Sequence, residues 1–278
     1  MSTAERARSG DSIVGLIPAA GLGSRLGAIP CSKELLPVGF SVRAQAHRLA
    51  PKPVSEYLID QMVHAGCDRI FFILRHGKWD IPAYYGSGAD FGVDIGYLLA
   101  NELFGPPFTL GQAASFVRGA IVATGFPDIL IHPPDMLAGV VEALRATPDA
   151  DLMLGTLPTD ETAGTDRVRP AADGRLATLV PKEEHPAWEP NDCAWVLAAW
   201  RPRFTRFLVE ELARLREIAR KHEGPGGPEW PLGSVISAAL AAGLDIRTRY
   251  YDHARHLDIG APERITRAAD FPGVWNGR

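Results

Sequence analysis

Short apolar runs alternate with stretches of helical spacing in the first half of the chain. The runs "SIVGLIP" (12–18) and "RIFFIL" (69–74) are typical of buried strands, because the first is apolar and followed by glycines and the second is rich in β-branched and aromatic residues. Between them, "PVSEYLIDQMVHAG" has apolar residues at helical spacing. It therefore predicts a helix, and Gly66 is placed to end it.

The alternation continues as far as residue 157. Further strands are predicted over 93–99, 120–126 and 151–157, and helices around 112–118 and over 135–146. Repeated strand–helix units favour the α/β class, with a mostly parallel sheet covered by helices on both faces. We therefore predict a doubly wound α/β fold.

The second half has a different character. Two strands, over 174–180 and 194–200, are separated by a turn and a polar segment. Later elements are helices over 203–221, over 233–242 and near Pro262, a strand over 244–251, and a Gly/Pro-rich loop at 224–228 that we expect to be flexible. No internal repeat is visible along the chain.

Composition and charge exclude several classes of function. The 278 residues are 46% hydrophobic and 22% charged, as in ordinary soluble proteins, and no run approaches the roughly 20 apolar residues of a membrane span. A net charge of −4 without a basic run gives no attraction to nucleic acid. The polar segment 1–11 is predicted to be flexible and is no secretory signal. Scattered cysteines at Cys31, Cys67 and Cys193 favour reduced thiols and a cytoplasmic location.

The segment after the first strand, "AAGLGSRLGAIPCSKELLPVG" (19–39), carries the strongest chemical signal. Glycines and cations at this point are typical of a phosphate-binding loop. It is no Walker A loop, because no lysine directly follows its last glycine. The dinucleotide-binding spacing fails as well: Gly21, Gly23 and Gly27 are one residue too far apart, and no acidic residue follows at the ribose position.

Three motifs in this region, in the order "AAGLGSRL", "SKELLPVG" and "KPVSEYLI", resemble the sugar-1-phosphate nucleotidylyltransferases of the glucose-1-phosphate thymidylyl/uridylyltransferase type. The resemblance implies a Rossmann-like nucleotidyltransferase fold with sugar-binding insertions. It also implies an enzyme that joins a nucleoside triphosphate and a sugar 1-phosphate, or a sugar-like phosphate, into an NDP-sugar. Pyrophosphate would leave in an in-line displacement that depends on Mg²⁺.

The same resemblance assigns roles to the residues of the loop. Nucleotide binding falls to the loop residues Ala20, Gly21, Gly23 and Ser24. The catalytic cations are Arg25, for the β and γ phosphates, and Lys33, for the α phosphate. These residue types suit the task, because glycines let backbone amides approach phosphates and cations neutralise the charge that develops there. The alternative is a tight glycine turn beside two solvated cations.

Two further nucleotide-binding residues are implied farther along the chain. Gln112, in "TLGQAASF", matches a family segment that precedes the metal-binding strand, and Gly88, in "GSGADFG", matches a segment that lies along the nucleobase. The chain has Ala83 near the position where the family carries a glutamine that reads a pyrimidine. The base is therefore left open.

Asp128, in "ATGFPDILI", is the metal ligand that the resemblance implies; the alternative is an Asx-turn residue. Asp135 is a rival that helix N-capping explains better. Asp258 lies in "HLDIGAPE", which resembles a family segment that closes the domain near the active site, and we interpret it as mainly structural or as a support for the residues of the site. Ser234 stands where many relatives have a second metal-binding aspartate, so one carboxylate is missing unless Glu229 or a water replaces it.

Lys182, in "LVPKEEHP", matches the family lysine that holds the sugar phosphate; the alternative is a surface lysine without function. His253 and His256 lack a third ligand for zinc. We predict a single nucleotidyltransferase domain over 1–278. Its nucleotide-binding half is 12–150, and 151–278 forms the sugar-phosphate half and the C-terminal closure.

Two hypotheses about function follow from these residues. The first is an active nucleotidyltransferase whose partners are the two substrates, with no nucleic acid or membrane. The second is a catalytically weakened regulatory protein that binds nucleotides or nucleotide sugars, motivated by Ala83 and Ser234. By analogy with the family, whose members are often dimers or tetramers, the chain is a candidate homo-oligomer.

Overall fold

The computed structural model describes residues 12–43, 48–184, 187–221 and 228–274. Two segments that we expected to be flexible, 1–11 and nearly all of the loop at 224–228, lie outside the described residues. No helix in the described ranges has both the length and the apolar character that crossing a membrane requires.

The elements largely follow the apolar pattern. The strands are β1 (Ile13–Ala19), β2 (Pro37–Arg43), β3 (Arg48–Pro53), β4 (Arg69–Leu74), β5 (Asp94–Leu99), β6 (Ile121–Gly125), β7 (Ile129–His132), β8 (Leu152–Leu157), β9 (Arg167–Pro170), β10 (Leu176–Val180), β11 (Ala194–Trp200), β12 (Ile246–Tyr250) and β13 (Arg255–Asp258). The helices are α1 (Val54–His64), α2 (Asp80–Tyr85), α3 (Pro106–Gly111), α4 (Met136–Ala146), α5 (Pro202–Arg220), α6 (Leu232–Ala241) and α7 (Pro262–Ile265).

A central seven-stranded sheet has the order β12-β8-β11-β6-β1-β4-β5. Most of its pairs are parallel, including those of β1 with β4 and β6, whereas β11 runs antiparallel between β6 and β8. Every residue of β8 and β11 is buried, as expected for strands with helices on both faces. The predicted doubly wound, mostly parallel α/β fold is confirmed.

Helices cover both faces of this sheet. On one face, α1 and α4 bury apolar side chains such as Leu58 and Val140. On the other face, α3, α5 and α6 contribute Phe108, Phe204 and Val235. Burial of these apolar side chains stabilises the packing of the helices on the sheet by about 25 cal/mol per Å² of apolar surface.

The predicted helix around 112–118 is wrong. The helix in this region is α3, which begins at Pro106 after Gly105 (φ 100°) and ends at Gly111. From Gln112 onward the amides bond three residues back rather than four, as in the bond from Ala113 N to the carbonyl of Leu110. The chain therefore continues in tight turns, although its apolar spacing still looks helical.

Smaller elements were not predicted. They are the hairpin of β2 and β3, the antiparallel pair of β7 and β13, strand β9, and helix α2. The pairing of β7 with β13 brings the C-terminal part of the chain against the segment that follows β6. Since β1 and β6 are parallel neighbours, the loops after both strands open at the same edge of the sheet.

Candidate active site

The loop after β1 wraps around the side chain of Lys33. Gly23 has φ 68°, in the left-handed region that glycine adopts without strain. A Cβ atom at Gly23 would lie 3.4 Å from Cδ of Lys33, and one at Gly21 would lie 3.7 Å from its Nζ. A Cβ atom at either position would thus make ordinary contact with the lysine, and it is the backbone conformation of Gly23 that favours a glycine here.

Lys33 forms an ion pair with Asp128 across the edge of the sheet. Its Nζ lies 2.5 Å from Oδ2 of Asp128, and the two side chains are 17% and 12% exposed. Burial opposes both charges, yet the pairing outweighs it: the pKa of Lys33 is raised above its usual value and the pKa of Asp128 is lowered, with Arg25 adding to the latter. Both groups are therefore charged at neutral pH.

A cavity of about 620 Å³ opens over this pair. Most of the residues that the motifs singled out line it: Ala20, Gly21, Gly23, Ser24, Arg25, Lys33, Asp128 and Lys182. Gly88 and Gln112 are not among its lining residues. A Cβ atom at Gly88 would lie 2.1 Å from the carbonyl oxygen of Val93, so this glycine is required by local packing.

Asp258, interpreted from its motif as structural or as a support for the site, also lines the cavity. In the β7–β13 pair Asp258 stands opposite Ile129, the residue after Asp128, and the amide of Ile259 donates to the carbonyl oxygen of Asp128 at 2.9 Å. Oδ2 of Asp258 lies 3.6 Å from Nη2 of Arg25. The site thus has a second carboxylate beside the first.

The other positions that were considered as metal ligands are Ser234, Glu229 and Asp135, and only one of them lines the cavity. Ser234 lies on α6 and is not among the lining residues, whereas Glu229 is. Asp135 stands directly before α4, but its side chain makes no capping hydrogen bond, and it does not line the cavity either.

The turn that carries Lys182 is held by a hydrogen bond to the carboxylate of Asp166. Lys182 opens a short 3₁₀ turn and its side chain is exposed, while its backbone amide donates to Oδ1 of Asp166 at 3.0 Å. Oδ2 of Asp166 accepts a hydrogen bond from Nε1 of Trp195 at 3.0 Å. Burial raises the pKa of Asp166, and these hydrogen bonds offset only part of that effect. A Cβ atom at Gly233 would lie 2.4 Å from Oδ2 of Asp166, so a glycine there makes room for the carboxylate.

Two arginines of α7 and the segment after it pair with Glu161, and one of them lines the cavity. Nη1 of Arg264 lies 3.0 Å from Glu161 and 3.7 Å from Asp258, and Nη1 of Arg267 lies 3.1 Å from Glu161. Arg264 and Glu161 line the cavity. His256, rejected as a zinc ligand, lines it too and lies 2.9 Å from the hydroxyl of Thr159 through Nε2.

The cavity therefore combines a glycine loop, several cations and the carboxylates of Asp128 and Asp258. Backbone amides and cations bind phosphate oxygens, and carboxylate pairs bind divalent cations. Asp166, Glu161 and Arg264 were missed because no short motif marks them. Asp258 was quoted within its motif, but its position depends on the pairing of two strands far apart in sequence.

Comparisons with known proteins point to the same class of protein as the loop motifs, although no protein-family model matches the chain. It is 31% identical over 146 residues to the low-salt glycan biosynthesis nucleotidyltransferase Agl11 of Haloferax volcanii, and 28% identical over 179 residues to a glucose-1-phosphate thymidylyltransferase of Streptomyces griseus. The matched regions cover 51% and 62% of this chain but 36% and 45% of those proteins, less than half of either relative.

Solved structures share the fold over nearly the whole chain. A Bacillus anthracis protein described as a glucose-1-phosphate thymidylyltransferase, in complex with sucrose, aligns with TM-score 0.73 and 17% identity over 93% of this chain and 94% of its own. A UDP-glucose pyrophosphorylase complexed with UDP-glucose aligns with TM-score 0.71 and 16% identity, over 93% and 97%. The resemblance to the sugar-1-phosphate nucleotidyltransferases that the loop motifs indicated is thereby confirmed, in sequence and in fold.

Proposed function

We propose that the chain catalyses nucleotidyl transfer between a nucleoside triphosphate and a sugar 1-phosphate, or a sugar-like phosphate, releasing pyrophosphate. One observation carries the proposal: Lys33 and Asp128, 95 residues apart in sequence, form a largely buried ion pair that lines the cavity beside the glycine loop. The names of the relatives, which include a thymidylyltransferase, support the same reaction class.

Mg²⁺ fits the donor set of this site. Asp128 and Asp258 would hold it through carboxylate oxygens, the hard ligands that Mg²⁺ prefers. The described residues contain no cluster of three or more His, Cys, Asp or Glu side chains arranged to hold a metal alone. Phosphate oxygens and water would therefore complete the coordination, as is usual for Mg²⁺. The bound ion would neutralise charge on the phosphates.

The side chains of the protein would act by position and charge. Arg25, at the mouth of the cavity, would bind the β and γ phosphates, and the loop amides would orient the triphosphate. Lys33 would neutralise the charge that builds on the oxygens of the α phosphate while the sugar phosphate attacks in line. Lys182 would hold the attacking phosphate, and no covalent intermediate on the protein is required.

The hypothesis of a weakened regulatory protein depended chiefly on a missing second carboxylate at position 234. Asp258 weakens that argument, because a second carboxylate lines the cavity beside Asp128. Binding without turnover remains an outcome that the test must distinguish.

The test is pyrophosphate release with ATP, CTP, GTP, UTP or dTTP, each crossed with a set of sugar 1-phosphates, in the presence of Mg²⁺. We expect turnover with at least one pair, and loss of it when EDTA removes the metal. Melting temperatures measured with the same nucleotides serve as the binding control. No turnover with any pair would overturn the proposal, and a raised melting temperature in that case would favour the regulatory hypothesis.

A further inference from the structure

A second buried ion pair lies directly behind the turn that carries Lys33. Nζ of Lys78 lies 2.7 Å and 2.8 Å from the two carboxylate oxygens of Glu34, the residue after Lys33. The side chains of Glu34 and Lys78 are 0% and 10% exposed, and neither residue lines the cavity. The nucleotidyl transfer proposed above uses neither of them.

The turn is anchored on both sides of Lys33. Before it, Ser32 donates through its amide (2.6 Å) and its hydroxyl (2.7 Å) to the carboxylate of Asp80. After it, the hydroxyl of Ser55 donates to the carbonyl oxygen of Glu34 at 2.6 Å. Lys33–Leu35 is a single 3₁₀ turn, and so short an element has little stability of its own. The direction of the Lys33 side chain therefore depends on these anchors.

Glu34 is a carboxylate that could compete with Asp128 for Lys33 from the adjacent position in the chain, in addition to Asp258. Glu34 and Lys33 are adjacent in sequence and interact electrostatically. A carboxylate that is fully buried needs a cation close by. Lys78 supplies that cation from the segment between β4 and α2, and it does not line the cavity.

We propose that Lys78 and Glu34 are positioning residues for Lys33: Lys78 neutralises Glu34 inside the fold and thereby leaves the Lys33 ammonium to Asp128 and to the ligand of the cavity. The pairing of Lys33 with Asp128 needs no substrate, so this inference can be tested on the free protein. Its consequence for catalysis rests on the proposed function.

The test is a double-mutant cycle between Lys33 and Asp128, measured as free energies of unfolding in denaturant. The variants Lys33→Met, Asp128→Asn and their combination give the coupling in the native background, and the same set is repeated with Lys78→Met. We expect the coupling to fall by at least half without Lys78. A purely structural role would lower the stability of all four proteins alike and leave the coupling unchanged, and that result would overturn the proposal.

Two further backgrounds sharpen the experiment. Glu34→Gln combined with Lys78→Met removes both charges, and we expect it to restore at least three quarters of the native coupling; a coupling that stays low contradicts neutralisation of Glu34. Lys52→Met removes the lysine that pairs with Asp60 and should leave the coupling unchanged. If Lys78→Met does not fold, Lys78→Gln, whose amide can still donate to Glu34, takes its place under the same criteria.

Kinetics then connect the pair to catalysis. With a turnover assay established, Lys78→Met should lower kcat at least tenfold while the KM for the nucleotide changes less than threefold. A loss confined to KM would contradict a positioning role for Lys33. If the native protein shows no turnover, the proposed function fails alone, because the cycle is read from unfolding.

Discussion

Lys33 and Lys182 line the same cavity but are held in opposite ways. Lys33 is buried, its turn is anchored at Ser32 and Glu34, and its ammonium already touches Asp128. Lys182 has an exposed side chain, and the contact that fixes its position is made by its backbone amide with Asp166. The side chain of Lys33 is therefore positioned before any ligand binds, whereas the side chain of Lys182 can change its conformation to contact a ligand.

This difference matches the two tasks that the proposed reaction would assign. Charge develops at the α phosphate during the reaction, and cations stabilise it most when they need not reorganise. A sugar phosphate has only to be held, for which a flexible point charge is sufficient.

The largest effect should come from the buried lysine. We expect Lys33→Ala to lower kcat by about 10²–10³-fold, the usual cost of removing a preorganised charge from a developing anion. Asp128→Asn should have an effect of similar size. Circular dichroism and unfolding curves, compared with Lys52→Ala as a matched loss of a lysine, check that the fold persists. Near-native turnover in a folded Lys33→Ala protein would remove Lys33 from the mechanism and erase the contrast with Lys182.

Asp258 comes next, because it supplies the second carboxylate of the cavity. We expect Asp258→Asn to raise the Mg²⁺ concentration needed for half-maximal turnover about 10- to 100-fold, the range seen when groups that support a metal site are removed. The measurement is the Mg²⁺ concentration that gives half-maximal turnover. Ser234→Asp is the paired variant, and it should not increase activity, because residue 234 lies outside the cavity lining. A gain with Ser234→Asp would favour the hypothesis of a decayed metal site.

A smaller and different effect is expected at Lys182. Loss of one exposed charge-assisted contact costs about 1.5–2 kcal/mol, so Lys182→Ala should raise the KM for the sugar phosphate roughly 10- to 30-fold. The KM for the nucleotide should stay within about twofold, and Lys182→Arg should recover part of the loss. If kcat fell as steeply as for Lys33→Ala, the two lysines would share one role and the comparison between them would fail.

The sequence was most informative where function depends on local chain geometry. The glycine loop, Lys33 and Asp128 were predicted because each lies within a few residues of a recognisable strand end. The motif around Asp258 did not show that this residue lines the cavity, because its neighbourhood with Asp128 arises from the pairing of β7 with β13, a long-range contact that no periodicity reveals.

The same limit applies to the helices and to the hidden supports of the site. The predicted helix at 112–118 was displaced because Pro106 starts the real helix earlier and the chain then tightens into turns. No sequence motif marks Lys78, which follows a glycine. Its buried ion pair with Glu34 is visible only in the structure. Local propensity gives the order of the elements, but tertiary packing decides which side chains meet.

The smallest effect should distinguish two arginines that share one partner. Arg264 and Arg267 both pair with Glu161, but Arg264 also approaches Asp258, lines the cavity and is 24% exposed, whereas the side chain of Arg267 is 64% exposed. Exposed ion pairs contribute about 0–1 kcal/mol. We expect Arg264→Ala to raise the KM for the nucleotide about fivefold, since about 1 kcal/mol is lost when a partly buried cation beside Asp258 is removed. Arg267→Ala should change that KM less than about twofold.

Equal effects from the two variants would mean that α7 acts on the cavity through Glu161 rather than through the contact of Arg264 with Asp258. In that case the side chains that are held in place before a ligand binds would be those of Lys33, Asp128 and Asp258, without Arg264.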